Sequence, residues 1–119
     1  MSNGINSLYE FGGFRFDAEG KTLWHNEEMI SLPPKALDVL STLLEKEGKI
    51  ISKKEILSIV WADTFVEEGV LTQNIYTLRK TLGRTADGFQ IIENRTRLGY
   101  RVNAVVSVLS TDGIQVQQV

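Results

Sequence analysis

VEEGVLTQNIYTLRKTLG, residues 66–83, is the stretch that decides the fold. Leu71, Ile75, Leu78 and Leu82 recur every three or four residues, the repeat of one apolar face on an α-helix. The spacing predicts a helix from about Val66 to Leu82 that stops at Gly83. Glu67 and Glu68 fall in its first turn and Arg79 and Lys80 near its end, which complements the helix dipole. The apolar stripe leaves Gln73, Asn74, Tyr76, Thr77 and Lys80 on the outer side.

Upstream, Trp61–Phe65 reads as a connector. Before it, Ser52-Lys53-Lys54-Glu55 is a capping box that opens a short helix carrying Ile56, Leu57, Ile59 and Val60. Lys53 and Lys54 read as solvated residues at its start. Another helix is expected over Lys35–Glu47. Pro33-Pro34 lies ahead of it, Leu37, Leu40 and Leu44 share its face, and Gly48 serves as its C-terminal cap. Residues 8–32 alternate in short runs broken by Gly12-Gly13, Glu19-Gly20 and His25-Asn26. They predict an antiparallel meander of about four strands, with His25 on a surface turn.

Downstream, 84–88 is a polar loop. Phe89–Glu93 and Gly99–Val102 read as strands joined by Asn94–Leu98, a hairpin whose tip carries Arg95, Thr96 and Arg97. The segment from Ser107 shows no strong pattern. The expected division is a domain over 1–106 and a tail or linker stub over 107–119, leading to a further C-terminal region.

The chain has 119 residues, enough for one core, and a net charge of −2. The charge is unevenly spread. Residues 1–68 hold seven basic and twelve acidic side chains, whereas 69–102 hold six basic and two acidic ones. A polyanion responds to the local field, so this asymmetry outweighs the total. With no cysteine and one histidine, thiolate zinc sites and disulfides are excluded, and a Ser-His-Asp triad is nearly so. No glycine-rich phosphate loop, H-E-x-x-H or G-x-S-x-G occurs, so no enzyme, metal or cofactor is expected. No signal peptide or spanning segment is visible, so a cytoplasmic location without membrane contact is the expectation.

Two packed helices, a third with a polar outer face, and a basic hairpin suggest an α+β winged helix-turn-helix. It would have an N-terminal four-stranded antiparallel sheet, a three-helix core and a C-terminal β-hairpin wing. Glutamine and asparagine amides pair with adenine edges, threonine meets a thymine methyl or a phosphate, and arginine or lysine binds phosphate or guanine. Arg95 and Arg97 on a projecting tip suit a minor groove or the sugar-phosphate backbone. Trp61 reads as a core residue whose indole N–H is a possible phosphate donor.

Four stretches carry a family resemblance: YEFGGFRFD (9–17), ISLPPKALDVLSTLLEKEGKIISKKEIL (30–57), VWADTFVEEGVLTQNIYTLRKTLG (60–83) and IIENRTRLGYRV (91–102). Together they resemble the OmpR-type winged-helix domain of response-regulator effectors and of ToxR- and CadC-like transcriptional regulators. The most specific element is LRK-x-LG followed by GYR. The resemblance implies a sequence-specific double-stranded DNA-binding domain with 66–82 as recognition helix and 94–98 as wing. It places DNA contacts at Gln73, Asn74, Tyr76, Thr77 and Arg79, at Trp61, at Arg95, Thr96 and Arg97, and at Tyr100 near the backbone; Lys80 joins this DNA-binding set from its place on the outer side of the helix. It also implies that the Trp61–Phe65 loop can face RNA polymerase, and that copies pair as a homodimer on DNA. The short stretch before the first strand favours a one-component regulator with a C-terminal sensor.

Two departures stand out. Relatives often have arginines where Tyr76 and Thr77 lie, and Leu98 replaces a wing arginine, which predicts weaker, more salt-sensitive binding. The thinned charge and the acidic body motivate an alternative: a protein–protein adaptor that has lost DNA binding.

Overall fold

The computed structural model describes residues 7–110. Four strands form the expected meander: β1 (Ser7–Phe11), β2 (Phe14–Asp17), β3 (Thr22–His25) and β4 (Glu28–Ile30). Three helices follow, α1 (Pro34–Glu45), α2 (Lys53–Val60) and α3 (Glu68–Leu82). Next comes a hairpin of β5 (Ile92–Arg95) and β6 (Gly99–Val102), and then β7 (Val106–Ser110).

The meander is one strand larger than expected. β7 pairs antiparallel with β1 along its whole length, from Ser7 opposite Ser110 to Phe11 opposite Val106, giving the order β4-β3-β2-β1-β7. The expected tail is therefore sheet as far as Ser110, and the boundary drawn after residue 106 falls inside a strand. Residues 111–119 lie outside the described residues.

One face of the sheet is apolar because residues alternate across a strand. Tyr9 and Phe11 of β1, Phe14 and Phe16 of β2 and Leu23 of β3 are buried. They share one core with Ala36, Val39, Leu40, Leu43 and Leu44 of α1 and with Leu71, Ile75, Leu78 and Leu82 of α3. Each fully buried leucine or isoleucine contributes about 1.5–3 kcal/mol. His25 closes β3 rather than sitting in a turn, and its ring stacks on Phe14 at 4.5 Å.

Several ends differ from expectation. α3 begins at Glu68, with Glu67 extended as its N-cap, because Val66 is drawn back against the core. α1 ends at Glu45 with Lys46 as its C-cap; Gly48, at φ 97°, lies in the turn beyond and is not the cap. Ser52 does cap α2, its Oγ accepting from the Glu55 amide at 3.1 Å. The Glu55 carboxylate turns to Lys46, 3.6 Å away. Phe89 is outside β5 and 59% exposed, since bonds between Thr85 and Phe89 and a bridge of Arg84 to Gln90 close a separate loop. Asn94 and Arg95 belong to β5, so the tip narrows to Thr96–Leu98, tied by Leu98 N donating to Arg95 O at 2.8 Å.

The hairpin is fixed to the helices at one crossing. Ile51, between α1 and α2, exchanges two backbone hydrogen bonds with Tyr100, at 2.9 and 3.0 Å. Gly99 has φ 140°, and a Cβ there would overlap the Ile51 carbonyl. Arg101 braces the same junction: Nε donates to Glu93 at 2.7 Å, Nη1 to Gly48 O at 3.1 Å and Nη2 to Asn103 Oδ1 at 2.6 Å.

Urea unfolding tests this anchor. Gly99→Ala is expected to cost about 3 kcal/mol or more, because backbone must move. Arg101→Ala is expected to cost about 1–3 kcal/mol, because it strands the half-buried Glu93 and a carbonyl. Arg97→Ala should stay within about 0.5 kcal/mol. Equal midpoints for all three variants would contradict the anchor.

Candidate nucleic-acid interface

α3 turns its apolar stripe inward, and the opposite side runs through Gln73, Tyr76 and Lys80, all exposed. These positions are three or four apart and therefore lie in one line along the helix. Tyr76 is 57% exposed, and the Lys80 ammonium sits 5.5 Å from its ring centroid. Asn74, Thr77 and Arg79 are half-buried beside this line. Asn74 Nδ2 donates to Val70 O at 2.9 Å and Thr77 Oγ1 to Gln73 O at 3.2 Å, so both donors are turned back onto the helix.

The wing supplies the second surface. Arg95, Thr96, Arg97 and Leu98 are all exposed, and Leu98 is 55% so. Arg97 holds φ 70°, which turns the chain at the tip. β5 packs against α3, so the hairpin stands beside that helix.

Trp61 and Tyr100 are placed differently from the other candidates. They are 7% and 3% exposed, and both belong to the core. Lys35 lies 5.7 Å over the Trp61 ring and donates to Val60 O at 2.9 Å, closing the end of α2. In the Trp61–Phe65 connector residues 62–65 are all exposed, and the outward aromatic ring is Phe65, 87% exposed.

Ion pairing separates the cations into two groups. Arg15, Lys21, Lys35, Lys46, Lys53 and Arg101 each sit within 4 Å of a carboxylate. Among the described residues, Lys49, Lys54, Arg79, Lys80, Arg84, Arg95 and Arg97 have no such partner. Five of these seven lie on α3, on the wing or on the loop between them; Lys49 precedes α2 and Lys54 lies in its first turn. Arg84 is held to its own loop by Nη1 donating to Gly88 O at 2.8 Å.

Two roles were not apparent from the sequence. Lys53 is more than a solvated residue: it meets Glu68 at 3.0 Å and ties the start of α2 to the first turn of α3. Its hydrogen bond to that carboxylate, and then the carboxylate's charge, raise the Lys53 pKa above the usual lysine value. Arg101, counted with the basic third, is absorbed in the wing anchor. Neither pairing follows a local spacing, since the partners lie on different elements; only the mixed signs at 53, 68, 93 and 101 hint at them.

Among the described residues, no helix is long and apolar enough to cross a membrane. The family model described as "Transcriptional regulatory protein, C terminal" matches residues 26–102. Transcriptional regulator HilA of Salmonella typhi is 39% identical over 105 residues, which cover 88% of this chain and 19% of HilA. Sensory transduction protein BceR of Bacillus subtilis is 32% identical over 92 residues, covering 74% of this chain and 38% of BceR. The chain thus spans about a fifth of the length of HilA and under half that of BceR. The solved DNA-binding domain of CadC from E. coli superposes with a TM-score of 0.74 at 25% identity, over 84% of this chain and 94% of that domain. With its meander, three helices and wing hairpin, the chain belongs to the OmpR-type winged-helix family of transcriptional regulatory domains.

Proposed function

We propose that this chain is the DNA-binding domain of a transcriptional regulator and binds double-stranded DNA in a sequence-specific way. The observation that carries the reading is the segregation of cations. Among the described residues, five of the seven cations without carboxylate partners lie on α3, the wing and the loop between, beside the Gln73 and Tyr76 side chains of the outward line. A helix of this width enters the major groove, where the Gln73 carboxamide suits an adenine edge. Arg79 and Lys80 suit the flanking phosphates, and Arg95 and Arg97 reach the backbone or the minor groove beside it. Thr96 at the tip and the half-buried Asn74 and Thr77 contribute shape and secondary contacts. Trp61 and Tyr100 act from inside the core, holding the connector and the wing in place. This is not enzyme chemistry, and the family is not an enzyme family.

The adaptor reading is not favoured. The matched family and the free cations both point to a polyanion. We further assign the connector, through the exposed Phe65, to contact with RNA polymerase. Two copies would lie on half-sites about one helical turn apart.

Salt titrations of duplex binding test the reading. Arg95→Ala or Arg97→Ala should weaken binding to every sequence and reduce the slope of log affinity against log salt by about 0.9 for each phosphate no longer neutralised. Gln73→Ala should instead change which sequences bind. An unchanged slope in both arginine variants would remove the wing from the interface, and absence of binding by the parent chain at low salt would remove the function. Phe65→Ala should leave DNA affinity intact and lower polymerase recruitment to the bound duplex; equal recruitment counts against the connector's role.

A further inference from the structure

Tyr76 is the aromatic residue on the outward line of α3, with Gln73 one turn before it and Lys80 one turn after it. The Lys80 ammonium, 5.5 Å from the ring centroid, covers one face of the ring and restrains it along the helix. A tyrosine has a single hydroxyl. It lacks the paired donors and acceptors by which carboxamides and guanidiniums read a base edge at two points. A ring at this position therefore offers chiefly apolar area.

The apolar group that a base pair displays in the major groove is the C5 methyl of thymine. The neighbouring side chains divide the remaining work. Asn74 and Thr77 have their donors bound back to the helix backbone. Among the described residues, no hydrogen bond engages the Gln73 carboxamide, which leaves it available to an adenine. Lys80 carries its charge beside the ring.

We propose that Tyr76 determines part of the sequence specificity of α3 by packing its ring against the C5 methyl of a thymine in the major groove. Lys80 is the positioning residue that holds the ring there. The inference rests on the DNA-binding reading above and adds a specific base group to it.

Uracil substitution tests it, because uracil removes the methyl and keeps every hydrogen-bonding group. The probe is the 119-residue chain with the duplex it binds most tightly, thymines being replaced one at a time. At one position the replacement should lower affinity about fourfold, the size expected for withdrawing one methyl from apolar contact. Tyr76→Ala should show no difference between thymine and uracil there, whereas Tyr76→Phe should keep it. Lys80→Met should reduce the thymine-to-uracil ratio as well as the overall affinity. Tyr76 is exposed, so these variants are expected to fold, and their urea midpoints verify it. The inference is overturned if no uracil replacement matters, or if Tyr76→Ala discriminates as well as the parent. Both results leave DNA binding standing. Failure of the parent chain to bind any duplex would instead defeat the function itself, and this inference with it.

Discussion

The wing, the helix pair and the reading helix hold their places through one crossing of backbone, where Ile51 and Tyr100 exchange two hydrogen bonds. The crossing is tight enough that residue 99 must be glycine in this geometry. It joins the segment between α1 and α2 to the start of β6, and Arg101 closes it from the side. Tyr100 is buried there, and β5, paired to β6, packs on α3. A hairpin of two four-residue strands would be marginal by itself. Fixed in this way it becomes a rigid arm beside α3, able to meet a duplex at the same time as that helix.

Charge follows the same division between scaffold and surface. Cations that brace the fold are matched to carboxylates: Lys21 to Asp38, Lys53 to Glu68, Arg101 to Glu93. The exposed pairs Lys21–Asp38 and Lys53–Glu68 contribute little stability but neutralise charge locally, whereas the half-buried Arg101–Glu93 pair also braces the wing. The arginines and lysine of α3 and the wing lack such neutralisation among the described residues. A chain with net charge −2 can therefore present a positive surface.

Much of this was legible in the residues, and the failures have identifiable causes. The repeat of Leu71, Ile75, Leu78 and Leu82 located α3, and all four are buried. Ser52 and the paired glycines at 12 and 13 marked a cap and a turn correctly, because both signals are local. β7 was missed because its partner, β1, lies about a hundred residues earlier, and an edge strand needs no apolar alternation of its own to be held. The bracing role of Arg101 was not legible because two of its partners stand 8 and 53 positions away. The reading of Trp61 as a core residue matches its burial, whereas Tyr100 carries a hydroxyl that invites a surface role, yet packing takes its ring inside. The outer line of α3 was visible as a set of residues; which of them keep free donors became clear only from the hydrogen bonds.

Selection from a random duplex pool at moderate salt, with sequencing of the retained fraction, addresses the central claim most directly. The expected result is an enriched motif containing A·T pairs, with a second copy about one helical turn away. A retained pool with no enriched motif would contradict sequence-specific reading by α3, and no retention at low salt would contradict DNA binding altogether.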